Sequence, residues 1–223
     1  MHQGLAVASR PHSGQWRSLY VLWALSHPVG WGLLPLITWA LHPHDLGVFL
    51  TNESMSFGMS DELPSFVVSG LVLGVAQWLL LRQTIDRATW WVAATVVGWS
   101  LIAATSFLGL ALGGVFVGAS QWVVLRRSVR KAGWWIVASA LGWLVGFQVI
   151  GAPPNGRFFR GILPSIRVTA YPHGTSFTTW ALPAAEGMVA GGLINGLVHG
   201  AVLVLLLRRD PGRSAPHPKV SQL

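Results

Sequence analysis

The chain contains no cysteine. That excludes disulfides, thiolate metal sites and cysteine nucleophiles, and it leaves the redox compartment unreadable. Charge is scarce too. Asp, Glu, Lys and Arg make up 10% of the 223 residues, 7 acids against 15 bases, where a soluble domain carries about a quarter. So few charges cannot cover the surface of a water-soluble core. The formal charge of +8 could suggest nucleic acid, but the basic residues stand at the ends of apolar runs, which is the pattern of membrane topology signals. No charged region followed by a cleavable apolar segment opens the sequence, so the first spanning helix is expected to serve as the targeting signal.

What is abundant points the same way. The chain is 52% hydrophobic with 26 Gly and 13 Trp, residues suited to close helix packing and interfacial anchoring. A membrane-crossing helix needs roughly 17–25 apolar residues. The sequence predicts six, at about 18–41, 65–81, 90–106, 109–125, 134–151 and 184–207, with Pro28 kinking the first. The uncharged stretch from Trp90 to Leu125 is 36 residues long, enough for two short helices with a turn near Thr105–Gly109. With the N-terminus inside, Arg10, Arg17, Arg82, Arg87, Arg126, Arg127, Arg130, Lys131, Arg208, Arg209, Arg213 and Lys219 all face the cytoplasm, 12 of the 15 bases. This asymmetry predicts both termini cytoplasmic, with tails at 1–17 and 208–223 flanking a transmembrane domain at 18–207.

An internal repeat organises the spans. Residues 70–101 align without gaps on 114–145, with twelve identities in 32 positions. They include Gly70/Gly114, Gly74/Gly118, Gln77/Gln121, Trp78/Trp122, Leu81/Leu125, Arg82/Arg126, Trp91/Trp135, Gly98/Gly142 and Trp99/Trp143. In weaker form Trp23, Gly30 and Trp31 repeat the spacing of Trp91, Gly98 and Trp99, and Gly196, Gly200, Leu207 and Arg208 repeat Gly114, Gly118, Leu125 and Arg126. There the Gln-Trp pair has become Leu203-Val204. The fold expected is an all-α membrane protein: six transmembrane helices forming three parallel-repeat helical hairpins in a pseudo-threefold bundle.

The recurring pattern G-x3-G-x2-QW-x2-LR followed by WW-x2-A-x3-GW, here Gly70 to Trp99 and Gly114 to Trp143, resembles that of a group of small multi-pass bacterial membrane proteins. The resemblance implies the same kind of fold and a place in the cell membrane, the inner membrane of a bacterium. It implies no activity.

Polar residues on the packed faces are the candidates for function. Gln77 and Gln121 share helical stripes with Gly70, Gly74, Gly114 and Gly118. Thr95, Ser139 and His27 hold matching positions on the odd helices. At 1.5 Å rise per residue, these five form a layer roughly 7–8 Å inside the cytoplasmic boundary. A second set, Gln148, Asn195 and His199, should lie deeper, roughly 20 Å from that face. Either set reads as interhelical hydrogen bonding or as a ligand or gating site. His199, or His27, could carry a proton or ligate a haem or pigment. Gly192, Gly196 and Gly200 form a further packing stripe, within the bundle or between protomers. Trp78, Trp90, Trp91, Trp122, Trp134 and Trp135 read as an interfacial belt. The loop 152–183 carries Arg157, Arg160 and Arg167 among aromatics, which suits an anionic ligand, lipid headgroups or a partner, or equally a loop folded down onto the outer membrane surface.

No catalytic or metal motif stands out. Gly118-Ala119-Ser120 with His199-Gly200 superficially suggests an intramembrane protease, but Ser120 lies six residues from Arg126, on the wrong side of the membrane for such a pair. The leading expectation is a non-enzymatic membrane subunit or scaffold whose partners are the bilayer and a second copy or a membrane complex. A small-solute transporter or channel and a haem- or pigment-binding protein are the alternatives. A cofactor cannot be named, and nothing calls for nucleic acid.

Overall fold

The computed structural model describes residues 13–41, 63–85, 87–150 and 182–209. These hold six α-helices: α1 (Ser13–Leu41), α2 (Leu63–Leu81), α3 (Trp90–Ala104), α4 (Ser106–Leu125), α5 (Gly133–Ile150) and α6 (Leu182–Arg209). Three, over Gly14–Leu41, Leu63–Leu81 and Ala184–Arg208, are long and apolar enough to cross a membrane. The remaining three are apolar over shorter stretches, Trp90–Ala104, Ala111–Leu125 and Gly133–Phe147. Pro28 and Pro35 both sit inside α1 without ending it. Pro28 cannot donate to the Ala24 carbonyl, and Gly196 of α6 lies directly against that carbonyl.

The expected turn at Thr105–Gly109 contracts to one residue. Thr105 (φ −105°, ψ 6°) returns both its N–H (3.1 Å) and its hydroxyl (2.6 Å) to the Leu101 carbonyl. A Cβ at Gly109 would run into the Ile102 carbonyl, so the reversal requires glycine there.

Each helix packs on the next, and α6 returns to α1, so the six close a ring. Glycine sets how close the helices come. Gly70 and Gly74 of α2 lie on Val96, Trp99, Val92 and Thr95 of α3. Gly114 and Gly118 of α4 lie on Ile136, Ser139, Ala140 and Trp143 of α5. Gly192, Gly196 and Gly200 of α6 lie on His27, Trp31, Ala24 and Tyr20 of α1. All seven predicted packing glycines therefore serve contacts inside the bundle.

Two apolar clusters fill the interior. One gathers Trp23, Trp91 and Trp135 with Leu81, Leu125 and Leu203. Its three indoles meet edge to face at centroid distances of 5.7, 5.8 and 5.7 Å, the favoured geometry for aromatic pairs. The other gathers Trp31, Trp99 and Trp143 with Leu73, Ile102 and Val117. Trp143 lies 4.9 Å from Trp31 and 6.4 Å from Trp99. Outward faces are apolar on every helix, for example Leu25, Leu71, Val97, Leu112, Leu141 and Leu197.

The belt expectation fails for two tryptophans. Trp91 and Trp135 are wholly buried, whereas their neighbours Trp90 and Trp134 are 61% and 64% exposed. Adjacent helical residues point about 100° apart, so only one of each pair can share the inward stripe with Thr95 or Ser139. Trp78 and Trp122 stay at the rim, half-buried, with the guanidinium groups of Arg82 and Arg126 over their rings at 5.9 and 4.8 Å.

Gly114→Ala should force α4 off α5, because its Cβ would meet the Ser139 carbonyl and lie 2.9 Å from the Ala140 Cα. The expected loss is about 1–3 kcal/mol, read as a lower unfolding midpoint in detergent. Gly133→Ala, which meets nothing within 4 Å, should leave the midpoint unchanged. Equal effects would show that glycine does not set the α4–α5 spacing.

Candidate polar site on the bundle axis

An indole N–H can only donate, and in a dry core it needs an acceptor. Two of the three stacked tryptophans have one. Trp91 Nε1 donates to Gln77 Oε1 at 2.8 Å and Trp135 Nε1 to Gln121 Oε1 at 3.0 Å. These bonds fix each amide's orientation, since its oxygen must face the indole. The Gln121 amide nitrogen then donates to Thr95 Oγ1 at 2.9 Å and, more weakly, to Gln77 Oε1 at 3.4 Å. Thr95 donates on to the Trp91 carbonyl at 2.9 Å. The Gln77 amide nitrogen faces His27 Nε2 at 3.4 Å.

The same reasoning assigns the imidazole protons. The Trp23 carbonyl, which can only accept, lies 3.1 Å from His27 Nδ1 and also receives the Ser26 hydroxyl at 2.7 Å. His27 therefore carries its proton on Nδ1 and offers a lone pair at Nε2. His199 Nδ1 lies 2.9 Å from that lone pair, so it donates, which leaves His199 Nε2 as a bare acceptor. The His199 ring is held by Trp135 and His27, at centroid distances of 4.9 and 5.0 Å.

The third tryptophan has no such acceptor. Leu203, the apolar residue at the glutamine position of α6, is fully buried in the Trp23 cluster, and Trp23 Nε1 is left without a partner. Ser139 Oγ, Asn195 Oδ1 and His199 Nε2 are likewise buried and unpartnered.

The five residues expected as one polar layer, His27, Gln77, Thr95, Gln121 and Ser139, are all buried, and the first four are joined by hydrogen bonds. The deeper set does not stand apart. His199 is one helical turn above Leu203, about 6 Å along the axis, and the two imidazoles span that distance, so His199 joins the first layer. Asn195 lies beside it, its Oδ1 against Gly142. The Gln148 side chain and the loop residues Arg157, Arg160 and Arg167 lie outside the described residues. The Ser120 hydroxyl bonds the Phe116 and Val117 carbonyls of its own helix at 3.0 and 2.9 Å. Among the described residues no group of three or more His, Cys, Asp or Glu side chains could hold a metal ion.

Residue-by-residue reading missed the indole donors Trp23, Trp91 and Trp135 as members of this site. The signal was present, since each stands four residues before His27, Thr95 or Ser139 on the same stripe.

Between the two tryptophan clusters lies a cavity lined by the polar residues His27, Gln77, Gln121, Ser139, Asn195 and His199. It has about 10 Å³ open to the centre of a water-sized sphere, close to the least that holds one water. No family model, no curated protein and no solved structure matches this chain.

Gln77→Leu and Gln121→Leu should each strand an indole donor and cost about 1–3 kcal/mol of stability. Because the two amides also touch, at 3.4 Å, the double variant should depart from additivity by about 0.5 kcal/mol or more. Strict additivity in detergent unfolding would mean the layer is two separate pairs.

Proposed function

We propose that the chain is a six-span protein of a bacterial inner membrane, with both termini cytoplasmic and the helices arranged with pseudo-threefold symmetry. Every helix carries an exposed apolar face, which suits lipid contact around the whole ring. Equivalent bonds support two of the three units. Arg82, Ile85, Trp90 and Trp91 donate their N–H groups to Trp78, Leu81, Arg87 and Ala88. Arg126, Val129, Trp134 and Trp135, each 44 positions on, donate to Trp122, Leu125, Lys131 and Ala132 at matching distances. The pairs α2–α3 and α4–α5 then form two units, and α6 with α1 forms the third, joined across the chain ends by the same glycine-on-helix contact.

Within that frame the protein is a non-enzymatic membrane subunit or scaffold, acting through its surface on a second copy or a membrane complex. One observation carries this: among the described residues, the axis is filled. Two tryptophan clusters close it, and the space between them admits about one water. A conduit needs a continuous polar path, and a haem or pigment needs far more room beside His27 and His199. Three of the four nitrogens of those rings are already committed to protein partners. The transport reading retains one supporting feature, the buried histidine pair, and would require both tryptophan clusters to part.

Reconstituted vesicles provide the test. Their permeability to ions, water and small polar solutes should match that of protein-free vesicles, and saturable flux would replace the scaffold reading with transport. The absence of cysteine makes topology directly measurable. Single cysteines at Gln83 and Ser128 should react with an impermeant maleimide from the cytoplasmic side, and one at Thr105 only from the other. Labelling of positions 105 and 128 from one side would sink the six-span arrangement.

A further inference from the structure

Of the six buried side-chain atoms without a partner among the described residues, three belong to residues that line one cavity, and their chemistry specifies an occupant. His199 Nε2, Asn195 Oδ1 and Ser139 Oγ are each buried and unpartnered, at residues 4%, 3% and 0% exposed, and all three residues line the axial cavity. The first two atoms are acceptors. Ser139 carries a hydroxyl that can donate. The occupant must therefore supply two donated hydrogens and one lone pair while fitting about 10 Å³. A single water does this, and three hydrogen bonds is the usual complement of a buried water.

We propose that the His199–Asn195–Ser139 cavity is a binding site for one water molecule, which completes the polar layer where Leu203 interrupts it. The surrounding bonds explain why the site lies here. Gln121 donates to Thr95 and Gln77 faces His27; a glutamine at 203 would stand in the same relation to Ser139, the third residue of that set. Leucine brings no amide, so the Ser139 hydroxyl lacks the side-chain partner that Thr95 has and can donate to a water instead. Leu73 and Val117 hold the positions on α2 and α4 that His199 holds on α6, and both line the same cavity. The third unit has thus moved its polar group one turn along the helix. The water joins Ser139 to His199, and His199 Nδ1 passes the connection to His27 and Gln77. The bonded layer then reaches from Gln121 through Gln77, His27 and His199 to Ser139 by a bridge rather than a third amide. Ammonia shares the donor chemistry and size, so the test separates the two sources.

The experiment is a crystal or cryo-EM map of the full chain, purified without ammonium salts, at a resolution that shows ordered waters. One peak is expected within about 2.7–3.2 Å of His199 Nε2, Asn195 Oδ1 and Ser139 Oγ together. No peak, or one that appears only after ammonium chloride is added, overturns the assignment. Water-proton relaxation dispersion gives a solution readout. Ser139→Val removes the donor and fills the space, and it should lose one long-lived water per chain. The same count in the wild type and a folded Ser139→Val variant would overturn the proposal. If that variant does not fold, the wild-type map decides alone.

Discussion

The bundle depends on finding an acceptor for an indole N–H in a core closed to bulk water. Three tryptophans packed edge to face supply a large apolar area at the axis, but each brings one donor that must be bonded or borne at a cost of about 1–3 kcal/mol. A glutamine on the adjoining helix solves this locally, because its oxygen accepts the indole N–H and its two amide hydrogens reach onward. The bond from Trp91 to Gln77 therefore fixes the facing of α2 against α3, and the bond from Trp135 to Gln121 does so for α4 against α5. Glycine at 70, 74, 114 and 118 brings the helices close enough for a side chain of glutamine's length to reach. Packing and hydrogen bonding are thus one constraint.

The α6–α1 pair satisfies the packing half of that constraint and departs from the other. Gly192, Gly196 and Gly200 bring the two helices together, yet Leu203 offers Trp23 no acceptor. His27 and His199 stand where the pattern is broken, and their 2.9 Å bond ties α1 to α6 by a different route. The missing indole acceptor and the histidine pair thus fall on the same pair of helices.

How much of this was legible follows from what sequence spacing encodes. Helix positions came from run length and flanking charge, and all six predicted segments end within two residues of the C-terminal end of an observed helix, as at Leu41, Leu81 and Leu125. The polar stripe was legible because Gln77, Thr95, Gln121 and Ser139 recur on the glycine faces. Depth was less so: counting rise along single helices separated His199 from His27, since it ignores the reach of two imidazoles toward each other. The burial of Trp91 and Trp135 was misread for a related reason. Tryptophan beside a charged turn suits an interface, and only the facing of one ring in each adjacent pair distinguishes a core indole from a belt indole. Spacing holds no trace of which donor meets which acceptor, and that pairing makes the residues a site.

A polar layer contributes little net stability to a helix bundle, because unfolded helices in a membrane also find partners. Its effect is on the choice among packings. Apolar faces slide and rotate at small cost, whereas a misplaced Gln77 would strand the Trp91 donor, and a rotated α6 would separate His199 from His27. The directional bonds at the axis therefore select one register among many apolar ones, much as a single polar residue sets the register of a coiled coil. On the scaffold reading proposed above, the outer surface needs to be fixed from within, and the axial layer provides the means.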